Sequence, residues 1–384
     1  MDVHQVDWRS QQGADIARQK LGEYISKQEA KARDAVARVF NEVPDDMILP
    51  AHAVQYVAGT QTYEGPHLSA QRIAGGVSQV VMDLPAETRR PFLTLHSNAM
   101  RQIAGKLEMP AAFAQELIDA GPWGAELVAD NFNRITRNRL EPGTRVLVRS
   151  VGEQARAVLS DRYRRLDSRP VLDALMGAAK DNGALLVDGY SGDVKVCAKF
   201  IVPRILEPVP GEFMVFGVSW SNSDYGCGAN ELDSFFVRLM CLNGAIAAVE
   251  MRKIHLGARL QDGIQYSDET YRLDTEALAS AVKDSARFLL SEGRVDSLSE
   301  AIRKANAEPA DGKALVERFK RAFTKKESER LAEIYTSADV VNLPAGNSNW
   351  RFSNAVSYLA HEVGDVDGQR ALDMQKWAGD LVAA

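Results

Sequence analysis

The chain has 384 residues, of which 45% are hydrophobic and 26% are charged, and its formal net charge is −6. This composition is typical of a folded globular protein and excludes wholesale disorder. The negative total excludes a protein that coats nucleic acid with its whole surface, because neutralising phosphates requires clustered Lys and Arg.

Residues 1–66 are predicted to form a helical arm and a loop. Residues 11–42 contain no proline, and their apolar or Ala positions recur at spacings of three and four, which is typical of charged helices. The stretch AGTQTYEGPH indicates a loop or short strand. The first residues lack the apolar core of a signal peptide, and no stretch approaches the roughly 18 apolar residues of a membrane span. We therefore expect a cytoplasmic protein with no membrane partner.

Residues 67–140 are predicted to form a helical subdomain. Ser97 is a candidate N-cap, Met109 and Pro110 mark a turn, and Gly121 ends a second helix, which together indicate an αα-hairpin. Its QIAGKLEMP portion is similar to a helix-turn-helix, but the second helix, AAFAQELIDAG, has no basic residue to offer to DNA. The hairpin is therefore interpreted as a packing element.

Residues 141–265 are predicted to form an α+β core. RVLVRSV, from Arg145, alternates as strands do, and ARAVLSDRYRRLD continues in the same way. A helix is expected with Ser168 as its N-cap, Pro170 in its first turn and Asn182-Gly183 as its end. Three strand candidates follow, at 184–190, 193–203 and 211–220. Ser191 and Gly192 form a hairpin turn between the first two of them.

A helix is predicted after the third strand, because Asn230 can cap it and Gly244 can end it. The core then has the order β-β-β-α. Residues 245–256 resume an extended or mixed pattern, and residues 266–384 are predicted to be mostly helical, with a loop at 342–350. The expected fold class is α+β, with a central antiparallel sheet flanked by helices and with helical N- and C-terminal regions.

The three cysteines, Cys197, Cys227 and Cys241, fit no disulfide framework and no CxxC pattern. We expect them to be reduced, partly buried thiols. A zinc site built from Cys227, Cys241 and His255 lacks a fourth ligand. No metal and no cofactor are therefore expected.

A basic segment lies inside this acidic chain. Residues 134–204 contain 14 Lys and Arg against 8 Asp and Glu, a local balance of +6. Strand alternation places Lys195 and Lys199 on one face of the second strand and turns Val196, Ala198 and Phe200 toward the core. Beside the arginines of RYRR, these lysines form a candidate strip for phosphates, with Tyr163 or Tyr190 for base stacking. The candidate nucleic-acid-binding residues are Arg156, Arg162, Tyr163, Arg164, Arg165, Lys195, Lys199, Arg252 and Lys253.

Other interpretations of the same residues stay open. The Lys face can be an ordinary solvated sheet face, and buried pairs with Asp161 and Asp167 can hold the RYRR arginines inside the protein. The stretch DYGCGAN before a helix suggests a phosphate cradle, but Glu231 and Asp233 would repel an anion there. Catalysis by Cys227 or Ser223 with His255 as the base lacks any catalytic signature.

Three segments resemble the phage/plasmid-like proteins of domain-of-unknown-function family 932. They are RAVLSDRYRRLD (156–167), SNSDYGCGANELDSFFVRLMCLNGAI (221–246) and RKIHLG (252–257). SNAMRQIAGKLEMP ahead of them and NAVSYLA behind them are similar too, so that the resemblance covers roughly residues 90–375. It implies a protein of phages, prophages or conjugative plasmids that works in the cytoplasm of the host cell.

The element order expected across residues 168–243 is also similar to the β-β-β-α core of phage single-strand annealing proteins of the RecT and Red-beta type. Those proteins bind single-stranded DNA in a basic groove on ring or filament oligomers. With the local charge excess, this resemblance predicts a homo-oligomer that binds single-stranded DNA in annealing, recombination or protection of mobile-element DNA. The alternatives are a protein-interaction or regulatory module without catalysis and an enzyme that uses the region of Cys227 and His255.

Overall fold

A computed structural model describes residues 7–58, 79–90, 92–253, 266–319, 322–336, 343–364 and 367–383. The strands are β1 (Asp45–Pro50), β2 (Gln55–Ala58), β3 (Val80–Asp83), β4 (Phe92–Leu95), β5 (Arg145–Val151), β6 (Gln154–Ser160), β7 (Leu185–Ser191), β8 (Val196–Ile201), β9 (Leu206–Val209), β10 (Glu212–Asn222), β11 (Asn230–Arg238) and β12 (Asn243–Lys253). They form two sheets that are antiparallel apart from one parallel pair.

The helices are α1 (Gln11–Asn41), α2 (Ser97–Lys106), α3 (Ala111–Asp119), α4 (Pro122–Arg139), α5 (Ser168–Asp181), α6 (Asp268–Leu289), α7 (Glu292–Ala307), α8 (Gly312–Phe319), α9 (Lys325–Thr336), α10 (Asn349–Gly364) and α11 (Gly368–Ala383). The α+β class and the helical terminal regions are confirmed. The predicted hairpin at 97–121 is formed by α2 and α3, and His96 rather than Ser97 caps α2.

The first sheet has the strand order β1-β5-β6-β4-β3-β2, and its strands come from three of the four predicted units. In its centre Val148 lies opposite Met47 on one side and Val158 on the other. All three side chains are buried, in a core that also contains Leu93 and Phe132. This core holds α2 and α4 against the sheet.

The second sheet has the strand order β12-β11-β10-β8-β7, and β9 pairs with β10 at its edge. Both faces are covered. On one face Val218, Trp220 and Leu232 pack with α5 and α6, and on the other Val215 and Phe235 pack under α1 and α11. A sheet that is covered on both faces buries every residue of its inner strands, and all eleven residues of β10 are buried.

The helix predicted from Asn230 is wrong, because residues 230–238 form strand β11. Its register is set by β10 on one side, with Phe216 opposite Phe236, and by β12 on the other. Because both faces of the sheet are covered, β11 has buried apolar residues on both, and a short run of this kind cannot be assigned to a strand or a helix by periodicity. The β-β-β-α order is therefore wrong, and the chain continues the antiparallel sheet instead.

The strand predicted through RYRR is also wrong, because β6 ends at Ser160. The amide of Tyr163 donates to the carbonyl oxygen of Ser160 at 2.9 Å, which closes a turn. Residues 161–167 then lead to α5 without a strand partner. Within this segment Arg164, Arg165 and Asp167 are held by ion pairs rather than by a sheet.

Candidate functional site

Lys199 does not lie on an exposed sheet face, so that part of the prediction is wrong. The residue is 5% exposed, and its ammonium donates to Asp188 Oδ2 at 3.1 Å and to Gln375 Oε1 at 2.7 Å. Burial lowers the pKa of Lys199, but the charge of Asp188, the neighbouring Cys197 and the hydrogen bond to Asp188 together outweigh that effect and leave the pKa raised. The face of β8 that was expected to carry the lysines is covered by α11, so Lys199 cannot meet phosphate there.

Two of the RYRR arginines are held in ion pairs within the protein. Arg164 forms a bidentate pair with Asp274 at 2.5 Å. Arg165 lies 3.3 Å from Asp46 and 3.3 Å from Asp268, with its guanidinium over the ring of Tyr271. Arg164 and Arg165 thus form ion pairs within the protein, but their acidic partners are not the predicted Asp161 and Asp167, and the Arg164 pair is half-buried rather than buried. Both pairs tie the turn after β6 to α6.

Three further candidate residues are either buried or held in ion pairs. Tyr163 is buried and its hydroxyl donates to the carbonyl oxygen of Ser223 at 3.2 Å, so its ring is not available for base stacking. Arg156 is buried, and its guanidinium donates to Glu42 Oε2 at 2.5 Å. Arg252 is exposed and pairs with Glu231 at 2.9 Å. The side chain of Lys253 lies outside the described part of the structure.

The loop of residues 223–228, SDYGCG, joins the two sheets. Ser223 Oγ donates to the carbonyl oxygen of Val194 beside β8 and accepts from the amides of Tyr225 and Cys227. From the first sheet's side, Asn98 and Gln102 of α2 both donate to the carbonyl oxygen of Tyr225, at 3.0 Å and 2.8 Å. The loop is therefore a joint that is hydrogen-bonded to both sheets.

Gly226 makes this joint possible. Its φ is +76°, in the left-handed region, and a Cβ at this position would lie 2.7 Å from Leu159 Cδ2. A larger residue would therefore be strained and would push the loop away from β6. Sequence reasoning missed the part played by α2, although Asn98 and Gln102 stand four residues apart in SNAMRQ and so share one face of the helix.

A cluster of charges lies beneath the joint. Arg149 is 1% exposed and pairs with Asp46 at 2.7 Å and with Asp167 at 2.6 Å. It also donates to the carbonyl oxygen of Asp224 at 2.6 Å. Asp224 Oδ1 in turn accepts from the amide and hydroxyl of Ser168 at the start of α5. Burial and the charge of Asp167 raise the pKa of Asp224 to about 6.

A pocket opens at this junction, between the end of α1, the β7–β8 hairpin and the joint. Its empty volume, including the mouth, is about 330 Å³. Two of the predicted binding residues, Arg156 and Lys195, line it together with Asp224 and Tyr225. The structure therefore brings Arg156 and Lys195 together, whereas Lys199 and Arg164 are held elsewhere.

Four cations around the joint make no ion pair with any residue that the structure describes. They are Arg101, Lys106, Arg162 and Lys195, of which the first three are exposed and the last is half-buried. Burial raises the pKa of the Cys227 thiol, and the nearby charges of Arg101 and Lys195 offset only part of that rise. Desolvation lowers the pKa of Lys106, the last residue of α2, and the charge of Asp161, the neighbour of Arg162 in the chain, offsets only part of that fall. Arg101 and Lys106 thus lie about 7.5 Å apart along the axis of α2, with both Arg101 and Lys195 close to Cys227 and with Arg162 next to Asp161.

The alternative sites find no support in the geometry. Cys227 precedes β11 and Cys241 follows it, and nine residues of strand separate them by roughly 30 Å, so they cannot share a zinc ion. Among the described residues there is no group of three or more His, Cys, Asp or Glu side chains that could hold a metal ion. His255 lies outside those residues.

The proposed phosphate cradle and nucleophiles have other roles in the structure. A helix does not begin at Asn230, so the stretch DYGCGAN presents no helix N-terminus to an anion. Ser223 Oγ is committed to the joint, and the Cys227 thiol donates to Asn98 Oδ1 at 2.9 Å. Because its pKa is raised, this thiol is not an activated nucleophile.

Comparison of the chain with protein-family models, with curated proteins and with solved structures found no match. The resemblance to the phage/plasmid-like family therefore stays a prediction. No helix within the described ranges combines the length and apolar character that crossing a bilayer requires.

Proposed function

We propose that this chain binds single-stranded DNA along the four unpaired cations Arg101, Lys106, Arg162 and Lys195, which we call the α2 cation row. The single observation that carries the proposal is that these side chains lack acidic partners among the described residues, while the neighbouring cations Arg149, Arg156, Arg164 and Arg165 are all paired. A cation in an ion pair is already neutralised by the neighbouring carboxylate. An unpaired row at a surface is what a polyanion requires.

The proposed binding is mainly electrostatic. Tyr163 and Tyr225 are buried, so neither ring can stack on a base. The row therefore offers contacts to phosphates only. Phosphate contacts carry no sequence information, which suits annealing, recombination or protection of mobile-element DNA in the host cytoplasm. The family resemblance and the local charge excess motivate the same proposal.

Fluorescence anisotropy with a labelled dT20 oligonucleotide tests the proposal. Each phosphate contact contributes about −0.7 to the slope of log K against log salt for single strands, so Arg101→Glu with Lys195→Glu should flatten the slope by about 1.4. The matched control is Arg18→Glu with Lys325→Glu, because both are exposed cations outside the row and the charge change is identical.

Weaker binding by the row variant with unchanged binding by the control supports the proposal. Absence of binding by the natural sequence at low salt overturns it. Equal weakening in both variants overturns it too, because only the net charge would then matter.

A protein-interaction module is the second candidate function, and one observation favours it. Phe113 of α3 and Trp123 and Leu127 of α4 are 51%, 59% and 42% exposed, which is unusual for large apolar side chains. We propose that a second copy of the chain covers them, in the homo-oligomer that the sequence predicts. Light scattering coupled to size exclusion should show a lower mass for Trp123→Ser, and a monomeric natural sequence would exclude this role.

A further inference from the structure

Two aromatic rings lie together at the surface where α6 begins. Tyr266 is 43% exposed, and its ring meets the ring of Tyr271 edge to face, with 5.9 Å between the centroids and 76° between the planes. The guanidinium of Arg165 lies 4.4 Å from the centroid of the Tyr271 ring and supports it from within the protein. An edge-to-face contact covers at most one face of a ring. Tyr266 therefore keeps a face that no other described ring or cation covers.

This tyrosine pair lies next to the α2 cation row. Arg165, which supports Tyr271, follows Arg162 of the row by three residues, so their Cα atoms are at most about 11 Å apart. Burial raises the pKa of Tyr271, the charge of Arg165 opposes that rise, and the charge of Asp161 adds to it. Burial lowers the pKa of Lys106, and the charge of the same Asp161 opposes that fall. Asp161 is thus close both to the row and to the tyrosine pair, so a strand bound along the row passes beside the two rings.

The charges around the tyrosine pair favour the bases of a strand over its phosphates. Asp268 and Glu269 follow Tyr266 closely in the chain, and both side chains are exposed. Asp268 lies 3.3 Å from Arg165, which also meets Asp46, so this arginine has no charge left for a phosphate. Carboxylates repel phosphates but do not repel an uncharged base. An exposed aromatic ring suits a base, because every base has a π face on which it can stack.

We infer that Tyr266 and Tyr271 form a stacking platform for bases of the single strand that the α2 cation row binds. The row contacts phosphates and the platform contacts bases, which are the two contributions that single-strand binding combines. The platform supplies the stacking that the sequence assigned to Tyr163, whose ring is buried. Stacking is tolerant of base identity, so the platform suits a protein that binds strands of any sequence. The inference rests on the proposed function, since the row brings the strand to the tyrosines.

Fluorescence anisotropy with labelled dT20 and with a labelled abasic strand of the same length tests the platform. The natural chain should bind dT20 more tightly than the abasic strand. Tyr266→Ala should weaken dT20 binding at least about fivefold, the loss expected for one stacked base, and should leave the abasic affinity and the salt slope unchanged. Tyr266→Phe keeps the ring and should keep the affinity. The matched control is Phe288→Ala, because Phe288 is 62% exposed and lies about 30 Å away along the same helix.

The outcomes separate this inference from the proposed function. Binding of dT20 that Tyr266→Ala leaves unchanged overturns the platform and leaves binding along the α2 cation row in place. Equal affinity of the natural chain for dT20 and the abasic strand also overturns the platform, and so does an equal loss on both strands in Tyr266→Ala. A loss in Tyr266→Phe or in Phe288→Ala as large as that in Tyr266→Ala overturns it too, because the effect would then not depend on this ring. Absence of binding to either strand at low salt overturns the proposed function itself.

Discussion

Replacing Arg149 by Met removes the central cation of the charge cluster beneath the joint. Its guanidinium holds Asp46, Asp167 and the carbonyl oxygen of Asp224, all within 2.7 Å at the nearest atoms. Removing one partner of a buried ion pair costs about 3–5 kcal/mol, because the other charge stays behind uncompensated. The side chains of Asp46 and Asp167 are 16% and 38% exposed, so water relieves part of the cost. We expect a loss of about 3 kcal/mol at pH 8.

The loss of folding stability caused by Arg149→Met should be larger at high pH than at low pH. Burial already raises the pKa values of Asp46 and Asp224, and the charge of Arg149 limits that rise, so that without Arg149 both pKa values in the folded variant rise further above those of the unfolded chain. The folded variant then holds more protons than the unfolded chain, so its stability falls as the pH rises. The destabilisation should be at least about 1 kcal/mol smaller at pH 5 than at pH 8.

Urea unfolding followed by circular dichroism at both pH values measures the effect. Arg272→Met is the matched control, because Arg272 makes its ion pairs with Glu269 and Glu276 on the exposed side of α6. Exposed pairs are screened by water and contribute little to stability, so the control should change little. A loss below about 1 kcal/mol at pH 8, or a loss that grows toward pH 5, would refute the reasoning.

His96 accepts the amide proton of Asn98 on Nδ1 at 3.1 Å and so caps α2, and burial lowers its pKa. The stabilisation should be complete above the unfolded pKa of about 6.5 and should be lost as the pH falls below it. In urea titrations from pH 7.5 to 5, His96→Asn should lose less stability than the natural chain, and parallel losses would contradict this. Gly217→Ala should prevent β8 from pairing with β10, because its Cβ would lie 1.7 Å from the Phe200 carbonyl oxygen. Gly177→Ala in α5, where a Cβ meets nothing within 4 Å, should instead stabilise by about 0.5–1 kcal/mol; thermal melts compare the two, and a folded Gly217→Ala protein as stable as the natural one would contradict the register.

Elements with a long and regular pattern were predictable from the sequence. The charged N-terminal segment forms the single helix α1, and the segment from Ser168 forms α5, which ends at Asp181 and has Asp167 rather than the predicted Ser168 as its N-cap. The alternating RVLVRSV is β5. In these segments local periodicity and capping agree with the tertiary packing, so each can be assigned from its own residues.

Residues 230–238 could not be assigned in this way. The apolar positions Leu232, Phe235 and Phe236 fit a helical stripe, and they also fit a strand that is buried on both faces. The second interpretation depends on β10 and β12, which lie beside β11 in space. The choice is therefore made by the neighbouring strands and not by the segment itself.

The candidate site, too, could be predicted only in part from the sequence. By itself the sequence determined that a basic segment lies in an acidic chain and that SNAMRQ and SDYGCG are distinctive segments. It could not show which cations are already neutralised, since Arg164 meets Asp274 across 110 positions of the chain. Only the tertiary structure paired Arg149, Arg156, Arg164 and Arg165 and left the α2 cation row unpaired. Charge is a property of composition, but its availability to a ligand depends on which carboxylates the fold brings within hydrogen-bonding distance.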